Sequence, residues 1–156
     1  MQKLFEYNWK VREEWFEWCK QIPQEELLLQ RSGGLGNILH TLLHIVDVEY
    51  SWINAIQGKP DFELDFAEFN TVQSVKTISD LLQKEIRTFL QAWLEEMDEE
   101  KVKVSWSDKF YAKGEILRHV IAHEIHHVGQ LSVWSRELCL KPVSANLIGR
   151  ELYSVS

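Results

Sequence analysis

The chain has little that spans, links or polymerises. No apolar run in its 156 residues approaches the roughly 20 needed to cross a bilayer as a helix. Its N-terminus, MQKLFEYNWKVREEW, is charged and aromatic and does not read as a signal peptide, so the expected location is cytoplasmic. Net charge is −7, and lysine and arginine are scattered with no basic stripe. That excludes a phosphate-neutralising nucleic-acid surface. There are only two cysteines, Cys19 and Cys139, without C-x-x-C or framework spacing. A disulfide scaffold and a cysteine-built zinc site are both excluded, and each cysteine reads as a buried free thiol. Only three prolines are present, and the glycines of SGGLGN lack the G-x-x-x-x-G-K-[ST] order of a phosphate loop. They read as a hinge before a helix.

What is abundant is apolar and aromatic. Hydrophobic residues make up 45%, which suits one compact domain over residues 1–156 with a real core. There are seven tryptophans, and Trp9, Trp15 and Trp18 gather in the first segment, predicting a large packed or partner-facing surface there. Apolar residues recur at three and four over 2–21, where Leu4, Tyr7, Val11, Trp15, Trp18 and Ile22 form a stripe ended by Pro23. Asn37 is placed to cap a helix over about 38–57, apolar nearly all round and closed by Gly58-Lys59-Pro60. Residues 61–70 alternate acid and apolar side chains and read as an irregular crossing. A third long helix is predicted over 71–97 and a fourth over 114–139, with a short β-like run, VKVSW, between them. Ser144 is placed to cap one last short helix after Pro142. The expected fold is therefore all-α: a four-helix bundle with a long crossover and a short C-terminal helix.

The six histidines lie in two of these helices: His40 and His44 in the second, and His119, His123, His126 and His127 in the fourth. Residues four apart share a helix face, so 40/44, 119/123 and 123/127 are facing pairs. His123 and His127 belong to the apolar stripe of Ile116, Val120, Leu131, Trp134 and Leu138. One histidine there is satisfied by one hydrogen bond in the core; two pairs on two helices call for a shared partner, and imidazoles suit a divalent metal such as zinc or nickel. His44 is the third candidate ligand. Its face also carries Asn37, His40, Val48, Ser51 and Ala55, which are small or polar and fit a cavity wall. His40 and His119 compete one turn away, and His126 reads as a rim residue.

HEIHH, residues 123–127, fits H-E-x-x-H, the helix motif that gives zinc proteases two ligands and a general base. The continuation does not follow. Gly129 is one place early and Val133 stands where a third histidine belongs. Glu151 is the downstream acid, but it lies in the tail. Glu124 is then a candidate to reach a metal-bound water or to orient His44, against the plain alternative of an interhelical charge. Gln130 is a candidate to contact a ligand or brace a helix contact. Glu49 and Asp47 are candidate acceptors for imidazole N–H groups, with ordinary salt bridging as the alternative. Asn8 either faces the site or satisfies a buried backbone group.

These segments resemble the DinB-like family. ILHTLLHIVDVEYSW is similar to its second long helix, and HVIAHEIHHVGQL, with H-x-x-x-H-x-x-Q, to its fourth; YNWKVREEWF and LCLKPVSANLIGREL fit the ends. The resemblance implies a four-helix bundle holding a divalent metal through three histidines, here His44, His123 and His127. It also implies a homodimer acting on a small molecule. Some members are S-transferases that use a low-molecular-weight thiol of the bacillithiol or mycothiol type. A thiol S-transferase is the expected activity; a non-catalytic metal-binding or stress-related dimer, or a metal-dependent hydrolase, is the alternative. Where small residues or arginine often stand between the last histidine and the glutamine, this chain has Val128 and Gly129.

Overall fold

The computed structural model describes residues 1–153. Four long helices pack as a bundle: α1 (Gln2–Cys19), α3 (Ile38–Ile56), α4 (Val72–Gln91) and α5 (Lys113–Glu137). A one-turn helix, α2 (Gln24–Leu28), interrupts the segment read as loop after Pro23. Asn37 caps α3 as expected, accepting the His40 backbone N–H at 2.8 Å. Thr71 and Ser74 close a reciprocal capping box on α4. Helix α3 is buried on several sides, against α2, α4 and α5. The tryptophans of α1 are core residues: Trp9, Trp15 and Trp18 are all buried.

Two apolar clusters stack along the bundle. Val11, Trp15, Phe16, Leu39, Leu43, Leu131 and Trp134 meet at one end, and Phe5, Val46, Ile53, Ile86, Leu117 and Val120 at the other. Deleting one of the large rings, Trp15 for instance, costs about 3–5 kcal/mol in such a core.

Three expectations are corrected. The third long helix stops at Gln91 instead of 97; Ala92 leaves helical geometry and Glu95–Glu99 forms a separate 3-10 turn. Continuing the helix would stack Glu95, Glu96, Asp98 and Glu99 at its negative end. Breaking it lets three of them begin a new turn, where the dipole favours anions. The short C-terminal helix is absent among the described residues: 141–153 run as a strap with turns. Its carbonyls are taken by side chains, Lys141 by Trp18 Nε1 at 3.0 Å and Ala145 by the Tyr7 hydroxyl at 2.6 Å, so helical bonds are not needed. Ser144 accepts the Asn146 N–H in a local turn instead. Cys139 is exposed, in left-handed geometry (φ 57) just past α5, whereas Cys19 is buried.

The β-like run is one half of a hairpin. Strand β1 (Lys101–Lys103) pairs antiparallel with β2 (Phe110–Ala112), which leads directly into α5. Residues 59–71 cross the outside of α3 with one 3-10 turn at Phe66–Glu68. Among the described residues, no helix is long and apolar enough to cross a membrane.

Candidate metal centre

Helices α3 and α5 pack side by side, and their histidines meet between them. His44 Nε2 lies 3.2 Å from His123 Nε2, which lies 3.1 Å from His127 Nε2. The three rings meet edge to face, with centroids 4.4–5.0 Å apart. Among the described residues, these three form the one group of histidine, cysteine or acid side chains close enough to share an ion. Three nitrogens each ~2.05 Å from a tetrahedral ion lie roughly 3.3 Å apart, so the two short separations match the edges of such a site.

Protonation favours the same use. Burial first, and then charge on His127, His44, His119 and His126, push the His123 imidazole down to about 3. Burial also lowers His44 and His127. All three are therefore neutral near pH 7, each with a lone pair to offer. Gln130 sets the tautomer of one of them. His127 Nδ1–H donates to Gln130 Oε1 at 2.7 Å, leaving Nε2 as the bare nitrogen facing the triad. The Gln130 amide then donates to His126 Nε2 at 3.2 Å. His126 is exposed, at the rim.

The glycine loop holds Gln130 from behind. A Cβ on Gly34 would stand 2.6 Å from Gln130 Oε1 and 3.1 Å from the Trp134 ring, and its backbone is left-handed (φ +52). Only glycine lets the loop close that tightly. The other histidines are held elsewhere. His40 Nδ1 accepts from the Asn37 amide at 3.2 Å, and its ring leans on Phe66. His119 is exposed, its ring between Trp52 and His123.

The candidate carboxylates go to a different partner. Arg12 donates to both oxygens of Glu124, at 2.8 and 2.6 Å, and to Glu49 Oε2 at 2.8 Å. Trp9 Nε1 donates to the other oxygen of Glu49 at 2.8 Å. Arg12, Glu49 and Glu124 are each at most 3% exposed. Burial pulls the Arg12 guanidinium down, but the two carboxylates outweigh it and hold the group above its ordinary value. The glutamate of HEIHH is thus an interhelical charge joining α1 to α5, and Glu49 joins α3 to the same arginine. Asn8 satisfies a backbone group, donating to the Ile121 carbonyl at 3.2 Å. Asp47 lies half-buried beside the crossover. Glu151 lies with Glu6, Trp9 and Lys10 on the outer side of α1, away from the α3–α5 seam.

Sequence reasoning missed Arg12. The signal was present: a cation one turn from Asn8 and from Phe16, on the helix face that also carries Phe5, Trp15 and Cys19. It also missed Gly34, whose role depends on a contact 96 residues along the chain.

A bundle of four long helices with a histidine triad across two of them defines a class, and residues 1–152 match the DinB family. The chain belongs to that family. It is 56% identical over 153 residues to a Bacillus subtilis (strain 168) protein named "Uncharacterized protein YizA"; the match covers 97% of this chain and 96% of that one.

Proposed function

We propose that the chain binds one divalent metal, zinc or nickel, through His44, His123 and His127, and works as a metal-dependent S-transferase using a low-molecular-weight thiol. The observation that carries the metal reading is the convergence of three imidazoles from two helices, with His123 Nε2 3.2 Å from His44 Nε2 and 3.1 Å from His127 Nε2. A bound divalent ion supplies a Lewis acid that keeps a coordinated thiol deprotonated near neutral pH. The chain's own share is to present three neutral imidazoles and leave further positions open. Gln130 holds the His127 ring by its Nδ1–H, as partners of metal-ligating histidines do. The hydrolase alternative lacks its base, because both oxygens of Glu124 are taken by Arg12.

The thiol comes from the family resemblance, as do the homodimer and the small-molecule substrate. Metal analysis of the purified protein is expected to give one ion per chain, lost in His44→Ala and in His123→Ala. Conjugation of low-molecular-weight thiols to monochlorobimane is expected to require that metal. A metal content unmoved by either substitution sinks the triad. A loaded protein that conjugates no thiol leaves a metal-binding dimer without this activity. Light scattering checks the dimer.

A further inference from the structure

One to two turns along α3 from His44 lies a cavity of about 310 Å³, between α3, the crossover and the hairpin tip. Val48 and Ser51, four and seven residues beyond His44, line it. Those spacings put them on the same helix face as the triad histidine. Three aromatic rings form its walls: Trp52 from α3, Phe62 from the crossover and Trp106 from the hairpin tip. Trp52 and Trp106 stand edge to face at 5.1 Å, and Trp52 reaches His119 at 5.7 Å, which in turn faces His123 at 5.9 Å. One aromatic wall therefore runs from the cavity to the triad. Trp106 is 50% exposed, a large ring left open at the mouth.

The remaining polar lining has one sign. Asp47, Asp61 and Glu63 are carboxylates, and no lysine, arginine or histidine lines the cavity. Asp61 already accepts from Ser105 Oγ at 2.6 Å. Asp47 Oδ1 is buried with no hydrogen-bond partner among the described residues; burial raises this carboxyl's pKa, and the Leu64 backbone N–H counters it only in part. Lys59 and Lys103 line a separate cavity that shares Asp61 with this one, and they pair with Glu85 and Asp108.

We infer that this aromatic, acid-lined cavity binds the ammonium or guanidinium end of a small-molecule substrate whose other end reaches the histidine triad. Aromatic faces attract cations through their quadrupole, most strongly where water is excluded. Carboxylates without an offsetting cation repel an anionic group and supply the acceptors that an N–H cation needs. The volume is at the small end of ligand sites and fits an end group of a few heavy atoms. At the helical rise, Val48 and Ser51 stand roughly 6–10 Å along α3 from His44. That distance separates the cation from the atom presented to the metal.

The end-to-end part rests on the metal reading; cation binding does not. The test uses n-butylammonium, n-butanol and n-butyrate, titrated by ligand-observed NMR into zinc-loaded protein and into the metal-free His44→Ala variant. Butylammonium is expected to bind both proteins at least tenfold more tightly than butanol or butyrate. The double variant Asp47→Asn/Glu63→Gln is expected to weaken it at least tenfold while keeping its thermal midpoint and its zinc. Trp106→Ala, on an exposed tip, gives a second check with expected weakening of severalfold. Binding of butyrate as tight as butylammonium, no binding of butylammonium, or undiminished binding in the double variant overturns the inference. Wild-type protein that takes up no zinc yet still selects butylammonium overturns only the metal reading.

Discussion

At the scale of single residues, the site is decided by which atom of each imidazole is free. Gln130 does this for His127. Gln130→Ala is expected to lower metal affinity by about 10–100-fold, the usual cost of removing such a partner. His126→Ala, which removes only the outer end of the same chain, is expected to cost much less; competition titration with a chromophoric chelator reads both. Acid acts on His123. Its imidazole is held from an ordinary 6.5 down to about 3, so between those values the unfolded chain binds a proton that the folded chain refuses. Stability is then full above about pH 6.5 and is lost as pH falls toward 3. The metal-free wild type is expected to show a steeper fall in thermal midpoint across that window than His123→Asn, followed by calorimetry.

The residues themselves were legible because histidine is rare and its spacing on a helix is rigid. His44, His123 and His127 could be named from face and period, and the structure brings these three together. Glu124 was not legible. A carboxylate inside H-E-x-x-H has the same spacing whether it serves a water or an arginine, and the arginine lies 112 residues away.

At the scale of elements, the four long helices followed from periodicity and caps, which are local. Their ends were less secure. Trp93 and Met97 continue the apolar period of α4, yet the helix stops at Gln91 because the acids beyond it are better placed at the start of a new turn. The tail escaped for the opposite reason, since α1 side chains satisfy its backbone and no local signal announces that. The loop before α3 is an element with a tight tolerance. Gly34→Ala adds a methyl group 2.6 Å from Gln130 Oε1 and strains a left-handed backbone. The expected result is a shifted visible spectrum of cobalt-substituted protein, reporting a moved His127, with a stability loss of about 1 kcal/mol or more. Gly33→Ala, whose Cβ meets open space but whose backbone is also left-handed, is expected to lose comparable stability without the spectral shift.

At the scale of the whole molecule, the polar cluster of Arg12, Glu49 and Glu124 ties α1, α3 and α5 to one point, with Ser79 of α4 at 3.4 Å. Arg12→Met leaves two carboxylates buried without their cation. The expected loss is about 3–5 kcal/mol in urea unfolding. Replacing all three by apolar residues of similar volume is expected to restore most of that stability, since burying such a cluster costs about as much as its pairing returns. Recovery of stability without recovery of metal affinity would separate the cluster's part in holding α3 against α5 from its part in holding the fold.

The triad also sets an order of events for a chain emerging from the ribosome. His44 is 79 residues upstream of His123, and both His123 and His127 lie in α5, the last of the four long helices to be made. An ion that needs all three cannot nucleate the bundle or guide its early collapse. On the metal reading proposed above, the ion binds after α5 has docked, as a late weight on a structure already formed, and it slows only the unravelling that pulls α5 away from α3.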